Sequence, residues 1–494
     1  MPPTRRILAG FSARIALAAL LSLGACLALA AGALAKSPQV EIVTQAEPPT
    51  EGIPANTHYF STIQAAVNAT KKGRGDWVLI EPGTYHEEVK VTREHAELHI
   101  RGMNRNTVIL DGQHEPAENG SNGILVEKAN DVWIENMTAR NFDRATPDGE
   151  NGNEFWWTGG DESGKDGAHG WWGNYLTAYD TGLNGGYGIF TNNEKEGSWE
   201  HVYASGFNDS GLYIGACWEC RALVNDATIE NNAVGYSGSN SGGRLVIENS
   251  VFRKNSAGIV PNGENPGDPP PPSNGMCDAK KPHKPYHVFT STNIARCTIY
   301  KKNLVTENNN LEAPANPSTE VAPWGVGVEL PGVMADEIRE NTITKNVNNG
   351  VLGFEYPNPY PPQASTIYFQ LSGNKIVKNT FEENGTNGNE YNSDITLQGG
   401  IFPAGPKNKY KSVNNCVSEN SFTNITWPHN IETTWGCQNE TTPPPASGPG
   451  ALGYVEILSF ESATTRKPVG QPAPGPQETM PEPCKGVPST ACKE

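Results

Sequence analysis

Short apolar runs separated by Asn and Gly recur along most of the chain. A typical run ends in Asn, another Asn follows a few residues later, and a Gly then precedes the next apolar run. The clearest copies read Ile247-Glu248-Asn249 … Asn255-Ser256-Ala257-Gly258-Ile259 and Ile338-Arg339-Glu340-Asn341 … Asn346-Val347-Asn348-Asn349-Gly350-Val351. Repetition of one short unit predicts a solenoid. Because no helical period accompanies the runs, each one is predicted to form a short strand.

The strands are predicted to stack coil upon coil, because one turn of such a chain cannot bury its own apolar side chains. We therefore predict an all-β fold, a single-stranded right-handed parallel β-helix over residues 57–440. Tyr179-Asp180-Thr181-Gly182 and Tyr203-Ala204-Ser205-Gly206 lie 24 residues apart (203 − 179), which we interpret as one coil. Asn tolerates the left-handed backbone of a sharp corner. Its side-chain amide is expected to hydrogen-bond with equivalent amides of neighbouring coils.

The ends of the chain differ from the repeats. Residues 1–35 carry Arg5, Arg6 and Arg14 before a long apolar stretch, which predicts a cleaved signal peptide and a secreted or cell-surface protein. Lipid attachment at Cys26 is the alternative. Residues 36–56 are polar and are interpreted as a linker. No other stretch is apolar enough for a membrane span in the mature chain.

A short helix is predicted next. Ser61 is followed three residues later by Gln64 and by apolar residues at helical spacing, which is typical of a capped amphipathic helix. We expect it to cap the N-terminal end of the solenoid. Residues 441–494 are Pro-rich and are predicted to form a partly disordered tail.

Charge and cysteine content limit which partners and which cellular compartment the sequence predicts. The net charge is −17, and removal of the three signal-peptide Arg residues makes it −20 (−17 − 3), so a nucleic-acid partner is not expected. Eight of the nine Cys residues remain in the mature chain, which favours disulfides in an oxidising compartment. Pairing each Cys with its neighbour in sequence predicts Cys217–Cys220, Cys277–Cys297, Cys416–Cys437 and Cys484–Cys492, among 105 possible connectivities.

The first repeats also resemble a known group. The segments TIQAAVNA, GDWVLIEPGTYHEEVKVT, LHIRG and VILDG between residues 62 and 112 resemble the opening of secreted right-handed β-helix repeat proteins of the pectin-lyase-like superfamily, which includes periplasmic NosD-type proteins. The resemblance implies the fold. It implies no single reaction, because the superfamily contains lyases, hydrolases, esterases, epimerases and non-catalytic modules. The catalytic signatures of polygalacturonases and mannuronan epimerases are missing from this sequence.

Aromatic residues concentrate in one stretch. Six of the eleven Trp residues lie between 156 and 218. Aromatic rings stack on the apolar faces of sugars, so we predict a substrate-binding platform. Its predicted members are Trp156, Trp157, Trp171, Trp172 and Tyr187. The alternative is that these side chains pack the long loop 143–175 onto the solenoid.

Titratable residues cluster in the same stretch. The candidate catalytic residues are His169, Asp180, His201, Asp209 and Arg244. Asp180 and His201 are 21 residues apart (201 − 180), near one coil length, and are expected on adjacent coils as an acid and a base. Asp209 is aligned with Gly185 of the preceding coil. The acidic loops around residues 148–153 and 161–166 make Ca²⁺ a candidate ligand, although no metal ligand is assigned.

These observations predict an exported β-helix protein that binds a polysaccharide or cell-surface glycan. It is a candidate polysaccharide lyase or glycoside hydrolase. The alternative is a non-catalytic structural or surface-binding solenoid, which accounts better for the missing catalytic signatures.

Overall fold

The apolar runs form strands that pair in parallel with the equivalent runs of the next coil. The computed structural model describes residues 37–147, 149–160, 167–217, 220–262, 298–320, 322, 324–333, 335–355, 371, 373–398, 415–437 and 466–493. The predicted signal peptide with Cys26, the acidic segment 161–166, Cys277 and Cys297 lie outside these residues.

The secondary-structure elements are listed here in chain order. The first half contains β1 (Val40–Val43), β2 (Thr57–Phe60), helix α1 (Ile63–Ala69), β3 (Trp77–Ile80), β4 (Gly83–Tyr85), β5 (Val89–Thr92), β6 (Leu98–Gly102), β7 (Val108–Asp111), β8 (Asn122–Glu127), β9 (Val132–Arg140), β10 (Asn153–Thr158), β11 (Ala168–Tyr179), β12 (Tyr187–Asn192), β13 (Glu194–Glu200), β14 (Tyr203–Ser205), β15 (Ser210–Gly215), β16 (Ala222–Asn225) and β17 (Thr228–Glu230). The second half contains β18 (Val234–Ser239), β19 (Leu245–Glu248), β20 (Val251–Arg253), β21 (Ala257–Asn262), β22 (Thr298–Lys301), β23 (Leu304–Thr306), helix α2 (Pro317–Glu320), β24 (Val326–Pro331), β25 (Glu337–Arg339), β26 (Thr342–Thr344), β27 (Asn349–Phe354), β28 (Lys375–Val377), β29 (Thr380–Glu382), β30 (Ser393–Gln398), β31 (Cys416–Ser418), β32 (Thr426–Trp427) and helix α3 (Ile431–Thr434).

Each coil has three faces, and the structure is the right-handed parallel β-helix that the sequence predicts. Face 1 is the 11-stranded sheet that runs from β5 to β32. The 21-stranded sheet supplies faces 2 and 3, because β9 and β11 continue through the corner between them. In β9, Val132–Glu135 pair with β6 on face 2, whereas Thr138–Arg140 pair with β7 on face 3.

Stacked side chains fill the interior. On face 2, Ile247 lies in register with Tyr300, which pairs with Ile338 of the next coil. On face 3, Phe252, Val305, Ile343 and Phe381 follow one another in the same way. All of these side chains are buried. Their removal from water is the main force that stacks the coils.

Asparagine ladders run along the corners that flank face 3. At the corner that leads to face 1, each amide Nδ2 donates to the Oδ1 of the Asn one coil on, in the order Asn232, Asn255, Asn308, Asn346 and Asn384. The corner between faces 2 and 3 has a second ladder, Asn303, Asn341, Asn379 and Asn420. The ladders end on carboxylates, because Asn384 donates to Asp394 and Asn420 to Glu432.

The left-handed corner residue is the one before the ladder Asn. Lys302 (φ 57), Glu340 (φ 55) and Lys378 (φ 58) directly precede the ladder residues. At these three positions this differs from the prediction that Asn itself takes the strained conformation, whereas Asn136 (φ 56), Asn141 (φ 58) and Asn249 (φ 51) take it as predicted. Left-handed backbone costs an ordinary residue roughly 1–2 kcal/mol, and the hydrogen bonds of the following Asn offset that cost.

The predicted 24-residue coil alignment is wrong by two residues. Tyr203 pairs with Thr177, and Tyr179 pairs with Ser205. On face 1 the offset is 23 residues (210 − 187), since Tyr187 pairs with Ser210, so Asp209 aligns with Gly186 rather than Gly185. Register follows the inward-facing Ala178 and Ala204, which are buried, and not the similar turn residues that suggested the alignment.

The N-terminal segment is more ordered than a linker. Val40–Val43 form the buried strand β1, which pairs with β2 and β3, so the linker prediction for residues 36–56 is wrong there. Apolar residues at alternate positions of β1 explain the difference. The predicted capping helix is present as α1, although its N-cap is Thr62 and not Ser61. Glu87 also accepts the free amides of Ile63 and Gln64, which satisfies the helix N-terminus.

The C-terminal residues 466–493 run back along the solenoid. Near its start Arg466 donates to the Ala322 carbonyl and the Lys467 amide to Leu311, and near its end Asn56 donates to the Pro488 carbonyl and Thr57 bonds to Ser489. This corrects the prediction of a partly disordered tail for these residues. The segment lacks regular structure, yet contacts with the coils hold it, and buried Arg101 donates to the Pro483 and Lys485 carbonyls.

Three predicted disulfides are present, Cys217–Cys220, Cys416–Cys437 and Cys484–Cys492. Cys484–Cys492 closes a loop of the tail beside β1 and β3. No helix in the described part of the chain is long and apolar enough to cross a bilayer.

The ladder predicts a stability effect. Asn341→Ala removes a buried amide that bonds to Asn303, Asn379 and the Tyr300 carbonyl. We expect the free energy of unfolding to fall by about 1 to 3 kcal/mol, because the neighbouring polar groups lose partners. Chemical denaturation measures the change. Thr342→Ala, at the exposed next position, is the control and should change stability by less than about 0.5 kcal/mol; equal effects would contradict the ladder.

The tail contacts predict a local effect. Asn106 Nδ2 donates to the Gln477 carbonyl at 2.8 Å, and the Gln477 amide donates back to Asn106 Oδ1 at 2.8 Å. Asn106→Ala should therefore make hydrogen exchange at the Gln477 amide roughly tenfold faster, which corresponds to ~1.4 kcal/mol. Exchange at the Asn341 amide should stay the same. Unchanged exchange at Gln477 would show that the tail is held elsewhere.

Candidate functional site

The outer surface of face 1 carries a row of large side chains. In β10, Phe155 and Trp157 point into the core, so Trp156 between them points out. Trp156 pairs in register with Phe190 of β12, and Phe190 pairs with Tyr213 of β15. Parallel strands are about 4.8 Å apart, so residues far apart in sequence become neighbours on this face.

Four rings form what we call the aromatic cluster, Trp156, Tyr187, Phe190 and Tyr213. Phe190 is at its centre, with ring centroids 5.1 Å from Trp156, 4.6 Å from Tyr187 and 4.9 Å from Tyr213. The rings differ in orientation. Trp156 lies nearly parallel to Phe190, at 9°, whereas Tyr213 is turned by 88° and Tyr187 by 37° relative to Phe190. Trp156 and Tyr187 are partly exposed, whereas Phe190 and Tyr213 are only 6% and 8% exposed, so the first two offer most of the ring surface to a ligand.

A polar network borders the cluster. Arg144 places its guanidinium carbon 5.2 Å from the Tyr187 ring centroid and its Nη2 3.6 Å from Asp209 Oδ2. Asn316 Nδ2 donates to the same Asp209 oxygen at 2.8 Å, and the Ser210 hydroxyl donates to the other at 3.0 Å. Burial and the Asp209 carboxylate raise the pKa of Tyr187, so its hydroxyl remains protonated at neutral pH.

The cluster and the network line one cleft of about 680 Å³. Its charged lining residues are Glu127, Lys128, Arg144, Glu150 and Asp209. Asn192 also lines the cleft and accepts the Trp156 indole N–H at 3.0 Å. A volume of this size accommodates a few sugar rings or another ligand of similar size.

The predicted Trp platform is largely wrong. Trp157 and Trp171 are fully buried, and they pack against Trp199 in the core. Gly197 makes room for them, because a β-carbon there would lie 2.1 Å from the Trp171 ring. Of the five predicted platform residues, Trp156 and Tyr187 line the cleft.

Trp172 belongs to a different surface, a column of rings on face 2. Trp77, His99, Trp133 and Trp172 stack with interplanar angles of 5°, 12° and 14°. Because these rings lie parallel, their faces contact one another and leave mainly edges for solvent. Trp172 does not line the cleft that the aromatic cluster lines.

The predicted catalytic residues are dispersed. His201 lies at the corner between faces 2 and 3, stacked 4.4 Å from Tyr175 and bonded to Asp226 at 2.6 Å. Asp180 lies at the corner between faces 3 and 1, so β14 and the end of β11 separate the two corners. The predicted acid–base pair is thus not formed. His169 lies on β11 near Asp131, and Arg244 precedes β19. Of the five predicted catalytic residues, Asp209 alone lines the cleft.

Asp180 is part of a buried acidic corner. Burial, and next to it the Asp143 carboxylate, raise its pKa well above the ordinary value. Glu154 is also fully buried, and burial together with the charge of Asp180 raises its pKa. His114 lies at the surface of the same corner, 3.2 Å from Asp143.

Sequence reasoning missed Arg144, Phe190, Tyr213 and Asn316. A signal existed for two of them, since YGIFTN at 187–192 and SGLYIG at 210–215 align Phe190 with Tyr213. Asn316 contacts Asp209 from 107 positions away, and no local pattern indicates that contact.

Comparison with known proteins gives distant structural likenesses. No protein-family profile and no curated protein sequence matches the chain. Among solved structures, the A-module of Azotobacter vinelandii mannuronan C-5 epimerase AlgE4 aligns with a TM-score of 0.43 and 14% identity, covering 73% of this chain and 90% of that one. Pectate lyase Pel9A gives 0.36 and 14%, covering 79% and 78%. Alginate lyase from Paenibacillus sp. str. FPU-7 gives 0.35 and 11%, covering 74% and 93%.

The chain has the parallel β-helix fold that the sequence predicts, as its own strand pairing shows. At these identities and TM-scores the likeness gives no residue correspondence, so it transfers no active site to this chain.

The face 2 column predicts a pH effect. Burial and the neighbouring Arg101 guanidinium lower the pKa of His99 from 6.5 to about 4. The unfolded chain therefore binds a proton that the folded chain does not, and stability should fall as the pH drops from 6.5 towards 4. His99→Phe keeps the stack and should lose less stability between pH 6.5 and 4.5 in thermal unfolding. Identical pH profiles for both proteins would contradict the assignment.

Proposed function

We propose that the protein binds a polysaccharide or cell-surface glycan in the face 1 cleft. The observation that carries the proposal is the aromatic cluster beside a fixed polar network. Sugar C–H faces pack on aromatic rings, and sugar hydroxyls bond to carboxylates, amides and guanidinium groups. Tyr187, Asp209 and Asn192 supply such groups around the rings, within the same 680 Å³ cleft.

The charge of the cleft favours a neutral glycan. Among the residues that the structure describes, its charged lining consists of two cations, Lys128 and Arg144, and three acids, Glu127, Glu150 and Asp209. Arg144 already faces Asp209, and its side chain is only 4% exposed. A polyuronate would therefore meet excess negative charge, both here and from the net charge of −17. A neutral chain meets no such repulsion.

Binding is favoured over bond cleavage by the state of Asp209. Its carboxylate is held by Asn316, Ser210 and Arg144, an arrangement suited to positioning a ligand. Glycoside hydrolysis requires two carboxyl groups on opposite sides of the bond. Hydrolysis is the second candidate function, since Glu127 and Glu150 line the same cleft and either could be the partner of Asp209.

Binding is tested with a panel of neutral polysaccharides and polyuronates, by isothermal titration calorimetry or affinity electrophoresis. Trp156→Ala and Tyr213→Ala should each weaken the binding of the best neutral glycan about tenfold, or ~1.4 kcal/mol. Trp172→Ala removes a partly exposed Trp of the face 2 column and is the matched control. Its affinity should remain that of the wild type.

Two results would contradict the proposal. One is equal loss of affinity in Trp172→Ala and Trp156→Ala, and the other is tighter binding of polyuronates than of neutral chains. Circular dichroism of every variant separates lost binding from lost folding. Release of reducing ends from the bound glycan, abolished by Asp209→Asn, would establish hydrolysis in place of binding alone.

A further inference from the structure

The acidic corner between faces 3 and 1 brings together side chains from three successive coils. His114 follows β7, Asp143 follows β9, and Asp180 follows β11. One ring nitrogen of His114 and one carboxylate oxygen from each Asp lie within 4.8 Å of one another. Both Asp residues are buried, whereas His114 is exposed.

Hydrogen bonds on both ring nitrogens position His114. Its Nε2 lies 3.0 Å from the Thr181 hydroxyl, which also lies 3.1 Å from Asn141 Oδ1. Because the hydroxyl can donate its one hydrogen to either partner, both tautomers of the ring fit these contacts. Nδ1 faces both oxygens of Asp143 at 3.2 and 3.3 Å. A hydrogen bond on the second ring nitrogen, here that of Nε2 with Thr181, is typical of metal-binding His residues.

The carboxylates of the corner are incompletely neutralised. Asp180 Oδ1 accepts the Gly182 amide, and the carboxyl group also lies close to Asp143 and the Gly185 amide, yet Oδ2 is buried without a hydrogen bond of good geometry. Oε2 of Glu154 is also buried without a hydrogen-bond partner, while its Oε1 accepts the Phe142 amide at 3.3 Å. A buried carboxylate oxygen without a donor is costly. A cation shared by these oxygens and His114 Nδ1 would relieve that cost.

Glu154 occupies a position that neighbouring strands fill with Gly. It is the second residue of its face 1 strand, where the strands before and after it have Gly123 and Gly188. Asp394 is the other carboxylate at this position, and it is fully bonded, to Asn384, Thr423 and Asn424. Glu154 has no such set of donors.

We propose that His114, Asp143 and Asp180 form a binding site for a divalent transition-metal ion of the Zn²⁺ type. One imidazole nitrogen with carboxylate oxygens suits Zn²⁺, whereas Ca²⁺ and Mg²⁺ favour oxygen ligands alone. Ligand atoms of a tetrahedral Zn²⁺ are ~3.3 Å apart for bonds of ~2.0–2.1 Å, which matches the His114–Asp143 separation. The ion would join three coils at the corner where Arg144, next to Asp143, enters the cleft.

The competing explanation is a proton shared between Asp143 and Asp180, with a charged His114 beside them. Metal binding distinguishes the two. The full-length protein is stripped with EDTA, dialysed, and titrated with ZnCl₂ by calorimetry, while Co²⁺ serves as an optical probe of the same site. We expect one Zn²⁺ per chain, a visible Co²⁺ absorption band, and a melting temperature that rises with Zn²⁺ concentration.

Asp180→Asn and His114→Ala should each weaken Zn²⁺ binding at least tenfold and abolish the Co²⁺ band. His114 is exposed, so its replacement tests the site even if the buried Asp180 variant does not fold. His201→Ala is the matched control, since His201 pairs with Asp226 at 2.6 Å and is not in the three-residue group. It should bind Zn²⁺ like the wild type.

Three results would overturn the proposal. These are the absence of Zn²⁺ binding by the stripped protein, wild-type affinity in both site variants, and tighter binding of Ca²⁺ than of Zn²⁺. Shared-proton chemistry predicts the first of them. None of these outcomes depends on glycan binding, so failure here leaves the cleft assignment unaffected.

Discussion

The hydrogen-bonded Asn ladders are the constraint on which the rest of the structure depends. Each corner of the coil requires a left-handed residue, and Lys or Glu often fills it at a cost in backbone energy. The ladder Asn that follows bonds to the coils on either side, so the corners are stabilised only as a stack. The ends need terminators. Asp394 and Glu432 accept the last amides of the two ladders, and helix α1 covers the apolar interior at the first coil.

Fixed register turns a one-dimensional sequence into a surface. With strands locked one above another, every outward position of face 1 lies next to its equivalents in neighbouring coils. Trp156, Phe190 and Tyr213 come together for this reason alone. The polar edge has another origin, since Asn316 belongs to α2's preceding loop and reaches back to Asp209. The cleft is thus built from a regular wall and an irregular loop, and the loop fixes the carboxylate.

The sequence was sufficient for the repeating part of this architecture and insufficient for the irregular part. Apolar runs and corner Asn residues predict the solenoid because they obey local rules of burial and backbone geometry. Adjacent residues of a strand point to opposite faces, so one of Trp156 and Trp157 must point outward. The sequence does not indicate which one, because both are Trp. The alignment of Tyr179 with Tyr203 failed because similar turns gave a signal that conflicted with the inward Ala178 and Ala204. His201 and Asp180 were placed on one groove by spacing, yet spacing cannot tell one corner of a coil from another.

The row of second residues in the face 1 strands shows where the fold departs from its own rule. Gly fills this position in seven strands, from Gly123 to Gly350, and in several of them a β-carbon would lie within 2.6 Å of the next coil's carbonyl oxygen. Two strands carry a carboxylate instead. Asp394 is surrounded by donors and ends a ladder, which explains its presence by structure alone. Glu154 has no comparable set of donors, and it is buried near Asp180 and Asp143. Departures from local rules without structural compensation are expected where function is carried, and this one lies beside the proposed metal site.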